Sequence, residues 1–382
     1  MLNSIVVPND GRNDEGCASR WVGAFVALLA VACFSAPAAF CQCTLSGTVS
    51  TWNGGNSNWN NGSNWSPTGV PNSSSTSVCI TDGTSTVTLD TTPTLANLQL
   101  ASGNTLTTGL GIYFFVKGSK IINAGNIAIN GGSGSLFKDS SMQVGIVTLL
   151  GGGTVTLSTG NAASYPNNLA LIQGLVSGAT LTNVDNTIQG EGIVGDNGLN
   201  LVNESAGTID ANSTGGLLKS TLALTRDCNF GCVGTLTNNG TMEATAGGTL
   251  QVTMNFTNFS GNTLTGGTYN VDGTGAASTM SLAVGNGLGG EIVNNAANII
   301  LNGTNGNASF VDGSGKQLLN ALAANATAAS GLTIGNPQYA DNCGGSHIGM
   351  NVVAGKALSV GVLGLDQISA LEAELTPLRC EM

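Results

Sequence analysis

Charge is scarce in this sequence. Of 382 residues only 8% are Asp, Glu, Lys or Arg, against about 25% in an ordinary soluble domain. Ten lysines and arginines and one histidine, His347, leave a formal charge of −11. Nucleic-acid binding needs clustered basic side chains, and the sequence has no such cluster, so a nucleic-acid partner is not expected. The same deficit removes any attraction to anionic lipid headgroups. Aromatic residues are scarce too, at 5% of the chain.

What fills the space is small and weakly polar. Glycine alone accounts for 57 residues, and Asn, Thr and Ser supply much of the rest. A disordered polymer is excluded, because 41% of the chain is hydrophobic and the mean hydropathy is +0.20. Thr, Val and Ile suit a pleated surface, whereas Gly and Asn accept the backbone angles of tight turns. The composition therefore predicts an all-β protein of many short strands.

One long apolar run stands near the start. Arg20 precedes "WVGAFVALLAVACFSAPAAFCQ", where the apolar stretch runs from Trp21 to about Ala36 and gives way to small residues around Pro37. A positive flank, an apolar core and a small-residue zone are the three parts of a secretory signal peptide. The expected cut is before Gln42, with cleavage after Ala39 as the next choice. The alternative is an uncleaved membrane anchor; Pro37 and the polar sequence after Gln42 argue against it. A lipoprotein anchor at Cys41 is disfavoured by Phe40, where a small residue belongs.

Cleavage before Gln42 leaves Cys43, Cys79, Cys228, Cys232, Cys343 and Cys380. An even number in an exported chain permits three bridges. Six cysteines allow fifteen pairings, and proximity favours Cys43 with Cys79, Cys228 with Cys232, and Cys343 with Cys380. The Cys228 to Cys232 spacing also reads as half a zinc site, but it has no second pair or His partner. No metal and no cofactor is expected.

Past residue 120 a phrase recurs: an apolar residue, any residue, Asn, a turn, then another apolar residue. Its copies are Ile121-Ile-Asn123, Leu181-Thr-Asn183, Leu201-Val-Asn203, Leu236-Thr-Asn238, Phe256-Thr-Asn258 and Ile292-Val-Asn294. From Asn183 the intervals are 20, 35, 20 and 36 residues, read as a unit of about 18 to 20 with every third copy blurred. A short fixed period of strand and turn is the signature of a solenoid whose coils bury a shared core only by stacking. Asn at one phase predicts either a ladder of side-chain amides between coils or left-handed turn residues, and the two are compatible. Gly266 to Gly273, "GGTYNVDG", superficially resembles a calcium-binding nonapeptide but lacks the tandem Asp spacing.

Residues 51–65, "TWNGGNSNWNNGSNW", hold three of the four tryptophans and six asparagines without one charge. This stretch, with Asn64-Trp65-Ser66 and Val70-Pro71, resembles the leader ahead of β-strand repeats in secreted bacterial proteins of the autotransporter-associated and filamentous-haemagglutinin-like kind. The phrases "LTNNGTMEATAGGTLQV" and "LTGGTYNVDG" resemble the body of those repeats, so the likeness covers about residues 50 to 300. It implies a right-handed parallel β-helix. Trp52, Trp59 and Trp65 then have two readings. They plug the open end of the solenoid, where bare strand edges invite aggregation, or they form a platform for sugar rings. The resemblance stops short of a complete autotransporter, because nothing after residue 335 has the pattern of a membrane barrel. Instead Ile368, Leu371, Leu375 and Leu378 have the spacing of a short amphipathic helix.

Catalysis of the polysaccharide-cleaving kind needs paired carboxylates or a metal cluster with a base. Asp185, Glu191 and Asp196 come closest, if neighbouring coils bring them together. His347, in "CGGSHIGM", has no Ser or Cys partner in a nucleophile-elbow pattern around it and reads as a turn histidine. The expected organisation is a signal peptide over 1–41, a Trp-rich cap over 42–91, β-solenoid repeats over 92–335 and a tail with a short helix over 336–382. The expected function is a secreted or cell-surface solenoid of structural or adhesive type. It is non-catalytic, meets extracellular glycan or matrix, and makes no stable membrane insertion after signal cleavage. The alternatives are a polysaccharide lyase or hydrolase and a carbohydrate-binding module.

Overall fold

A computed structural model describes residues 42–132, 138–159, 168–215, 218, 220–225, 233–282, 292–303, 307–316 and 318–319, with the backbone of 324–325, 331–334 and 358–360. The chain divides into Met1–Phe40 and Cys41–Met382, and all the described strands belong to the second unit. The signal segment, Cys228, Cys232, Cys343, Cys380, His347 and the helix expected from Ile368 to Leu378 lie outside the described residues.

Thr180–Asn183, Thr187–Gly190 and Gly192–Asp196 make one winding of the chain. The next winding is Asn200–Asn203, Thr208–Ala211 and Thr221–Leu224, each strand parallel to its predecessor. Repetition builds three long sheets. Sheet A runs from the Trp65–Ser66 and Thr48–Trp52 strands to Asn255–Phe256, sheet B from Ser57–Asn58 to Leu358–Val360, and sheet C from Thr94–Leu95 to Ala308–Asp312. The fold is an all-β parallel solenoid, and the described residues contain no α-helix.

Each strand follows from its alternation. In Thr180-Leu-Thr-Asn183 the second and fourth residues are buried and the others half-exposed, as a pleat with one face on a core requires. Leu181, Leu201, Leu236 and Phe256 stand opposite one another in sheet A. The three leucines are buried, and Phe256 packs against the same core. Sheet B contributes the parallel column Ile188, Ile209, Met242 and Tyr269, all buried. One contiguous core extends from Trp52 to Leu319. Corners close tightly: Gly190, at φ +102°, sits where a Cβ would lie 2.1 Å from the Leu157 carbonyl oxygen, so only glycine fits.

The register corrects the expected period. The 35 residues between Asn203 and Asn238 hold three strands, one in each sheet, so they are a single winding and hide no blurred copy. The excess sits in the corner between Ala211 and Thr221 and in the connection from Leu224 to Thr235. The copy Ile292-Val-Asn294 is also out of phase, because Asn294 opposes Thr263 in sheet B.

Inside sheet A the amides form a ladder. Asn183 Nδ2 donates to Asn203 Oδ1 at 2.9 Å, and Asn203 Nδ2 to Asn238 Oδ1 at 2.9 Å. Asn258 continues it through the backbone of Asn238, accepting from its N–H at 2.7 Å and donating to its carbonyl at 2.8 Å. Asn183 also closes its own corner, accepting from the Asn186 N–H and donating to the Asn186 carbonyl. None of these asparagines has a positive φ; the repeat therefore uses Asn for its amide and not for left-handed backbone. Asn123 stands two positions out of phase, since Ile121 opposes Leu149 and Leu149 opposes Asn183. It meets the ladder from the side, donating to Asn186 Oδ1 at 2.9 Å.

Candidate functional site

The first winding carries the tryptophans. Trp52 ends the Thr48–Trp52 strand, and Trp65 lies opposite it on the antiparallel Trp65–Ser66 strand that borders sheet A. Their ring centroids are 4.8 Å apart at 75°, and Trp59 meets Trp65 at 4.6 Å and 65°, the edge-to-face contacts that aromatic quadrupoles favour. All three indoles are at most 2% exposed. Each Nε1–H donates to a nearby carbonyl: Trp52 to Gly55 at 2.9 Å, Trp59 to Pro71 at 3.2 Å and Trp65 to Trp59 at 2.9 Å. The large rings are thus packed and polar-satisfied within the winding.

Cys43 and Cys79 form a disulfide with Cα atoms 5.8 Å apart. Cys79 alternates with the buried Val78 and Ile80 on its strand, so the bridge lies on the outer side of sheet A, over the second winding. It holds the segment Gln42 to Thr44 there, where Gln99 Oε1 accepts from the Thr44 N–H at 2.8 Å and its Nε2 donates to the Gln42 carbonyl at 3.1 Å.

The three acids singled out in the sequence do not meet. Asp185 lies at the corner from sheet A to sheet B, Glu191 at that from B to C, and Asp196 ends the sheet C strand of the same winding. Asp185 Oδ1 accepts from the Gly151 and Gly152 N–H groups at 2.7 and 3.0 Å. Glu191 is 1% exposed. Its Oε1 accepts from Thr159 Oγ1 and the Leu218 N–H, and its Oε2 from Ser213 Oγ and the Ser220 N–H. These carboxylates tie corners and an inserted loop to the solenoid.

The register assembles a different pair. Asp210 and Glu243 stand directly opposite on adjacent strands of sheet B, where like charges oppose each other. Burial, then the charge of Glu243, pushes the Asp210 carboxyl up to about 6, against the hydrogen bonds of Thr245 and Asn212. Thr245 Oγ1 donates to Asp210 Oδ1 and Asn212 Nδ2 to Asp210 Oδ2, both at 2.9 Å; Asn270 Nδ2 donates to Glu243 Oε2 at 3.1 Å. A carboxyl that changes protonation near pH 6 beside a carboxylate is the equipment of general acid–base chemistry. The sequence signal was the shared phrase Thr208-Ile-Asp210-Ala211 and Thr241-Met-Glu243-Ala244, at one phase of sheet B.

Among the described residues no group of three or more His, Cys, Asp or Glu is placed to hold a metal ion, and no helix is long and apolar enough to cross a membrane, which leaves β-barrels unaddressed. No protein-family model, curated protein or solved structure matches the chain.

Proposed function

We propose that the protein is a secreted or cell-surface β-solenoid of structural or adhesive type, binding extracellular glycan or matrix through its lateral faces, with the tryptophans sealing its first winding. The observation that carries this reading is the burial of all three indoles with every Nε1–H bonded inward. A sugar platform needs open ring faces, and an end plug needs none. The Cys43–Cys79 bridge supports an oxidising compartment, where such bonds persist. The bonding of Asp185 and Glu191 to backbone and hydroxyl groups supports a non-catalytic role for them.

A second reading, a polysaccharide-cleaving enzyme, rests on Asp210 raised to about 6 beside Glu243. One experiment separates the two. Purified protein is applied to arrayed glycans and matrix polymers, and in parallel to pectin, alginate and xylan with assay for released product. Binding without product supports the adhesive reading. Product that disappears in Asp210→Asn establishes the enzyme instead. A folded Trp59→Ala variant that loses glycan binding replaces the plug with a sugar site.

A further inference from the structure

The outer face of sheet B carries a two-column array rich in threonine. Thr86, Thr105, Asn126, Thr154, Thr187, Thr208, Thr241 and Thr268 stand in one unbroken column. Two residues along each strand runs a second column, which begins Thr88, Thr107, Ala128, Thr156 and Gln189. Neither column holds a charged side chain before Asp210, in a molecule of net charge −11. Thr86 is exposed and the others up to Gln189 are half-exposed, while Val87, Leu106, Ile127 and Val155 between them point into the core.

Regularity is kept across very unequal windings. The steps from Thr105 to Asn126, Thr154 and Thr187 are 21, 28 and 33 residues, yet the pairing carries no shift of register. Neighbouring strands therefore repeat the outward positions at about 4.8 Å, and alternate residues repeat them at about 6.7 Å along the strand; threonine hydroxyls fill most of these positions, with Asn126, Ala128 and Gln189 in the others. Both repeats lie close to those of the oxygen lattice of hexagonal ice. Threonine is stiff at χ1, and Thr154 and Thr156 are fixed further because both hydroxyls donate to Asn126 Oδ1, at 2.8 and 3.0 Å. Thr156 Oγ1 also accepts from Gln189 Nε2 at 3.3 Å and Thr107 Oγ1 from Asn130 Nδ2 at 2.7 Å, which orients these hydroxyls and leaves each a second lone pair for a donor from outside. The γ-methyl groups beside them restrict the orientations of first-shell water.

The geometry points to an ice-binding face on sheet B over the windings from Thr86 to Gln189. An uncharged occupant fits an uncharged face, and a sugar polymer is disfavoured by the absence of any aromatic ring in these two columns. Sheet A offers no equivalent in these windings, since its outer side carries Lys120, Ile122 and the disulfide-bound segment. This inference goes beyond the adhesive reading, which stands or falls separately.

The test is thermal hysteresis and crystal shaping by the oxidised, full-length protein, with partitioning into a growing ice hemisphere. Wild type is expected to facet crystals and enter the ice. Thr107→Lys with Thr156→Lys is expected to abolish both, and Thr88→Lys, nearer the N-terminal end of the array, to weaken them. Thr182→Lys, outward on sheet A, is expected to leave them unchanged. Far-ultraviolet circular dichroism and Tm check that each variant is folded. Absence of hysteresis and shaping in folded wild type overturns the inference. So does equal loss in Thr182→Lys, or retention by the folded sheet B variants. Binding to crystalline cellulose or chitin with no effect on ice replaces it with a polysaccharide face.

Discussion

Asn203 spends both ends of its amide on neighbours: its oxygen accepts from Asn183 and its nitrogen donates to Asn238. Asn203→Ala therefore strands a buried donor and a buried acceptor. At about 1–3 kcal/mol for each unsatisfied group, the expected loss is on the order of 2–6 kcal/mol, read as a fall in the urea midpoint. Asp210 works in the opposite sense. Its folded pKa of about 6 exceeds the ordinary 3.8, so the folded chain holds the proton more tightly and stability falls as pH rises from about 4 to about 6. Asp210→Asn is expected to raise stability at pH 7 by something on the order of 1–3 kcal/mol, read as a higher Tm, and to flatten that pH dependence; unchanged Tm against pH contradicts it. Of these two sites the ladder was the more legible in the sequence, because Asn recurs at one phase, whereas the acid phrase occurs only twice. Asp210 and Glu243 are 33 residues apart, and only the pairing of their strands shows that they touch.

At the scale of elements, the first winding is closed by aromatic packing and stapled from outside. Trp59→Ala removes a fully buried indole, and about 3–5 kcal/mol is the usual cost of such a change. We expect the variant to unfold earlier and to self-associate with rising concentration by light scattering, as strand edges near the end open. Reduction of Cys43–Cys79, which closes a 36-residue separation, relaxes a constraint of roughly 4 kcal/mol at most. Hydrogen exchange should then rise over Gln42 to Thr44 and the Thr76–Ile80 strand before it rises in the later windings. Strand alternation such as Thr180-Leu-Thr-Asn183 made these elements readable. Their spacing misled, because a connection inserted at a corner lengthens the interval between Asn203 and Asn238 without adding a winding. The outward site of the disulfide was equally hidden, since facing depends on which side of the Thr76–Ile80 strand Cys79 takes.

For the solenoid as a whole, strand pairing links each winding only to its neighbours, and stability is approximately a sum of windings and the interfaces between them. Three small residues inserted between Asn212 and Ser213, in a corner that already carries extra chain, should cost less than about 1 kcal/mol by loop entropy. One residue inserted between Ile209 and Asp210 would turn the rest of that strand inside out, and proteolysis should find the second variant and spare the first. The corners have a consequence for reach. A winding of 20 residues, such as Asn183 to Asn203, and one of 35, such as Asn203 to Asn238, each advance the stack by the same single strand spacing of about 4.8 Å. Mass and span are thereby uncoupled: added chain at a corner thickens the molecule locally, and only another full circuit extends how far it spans.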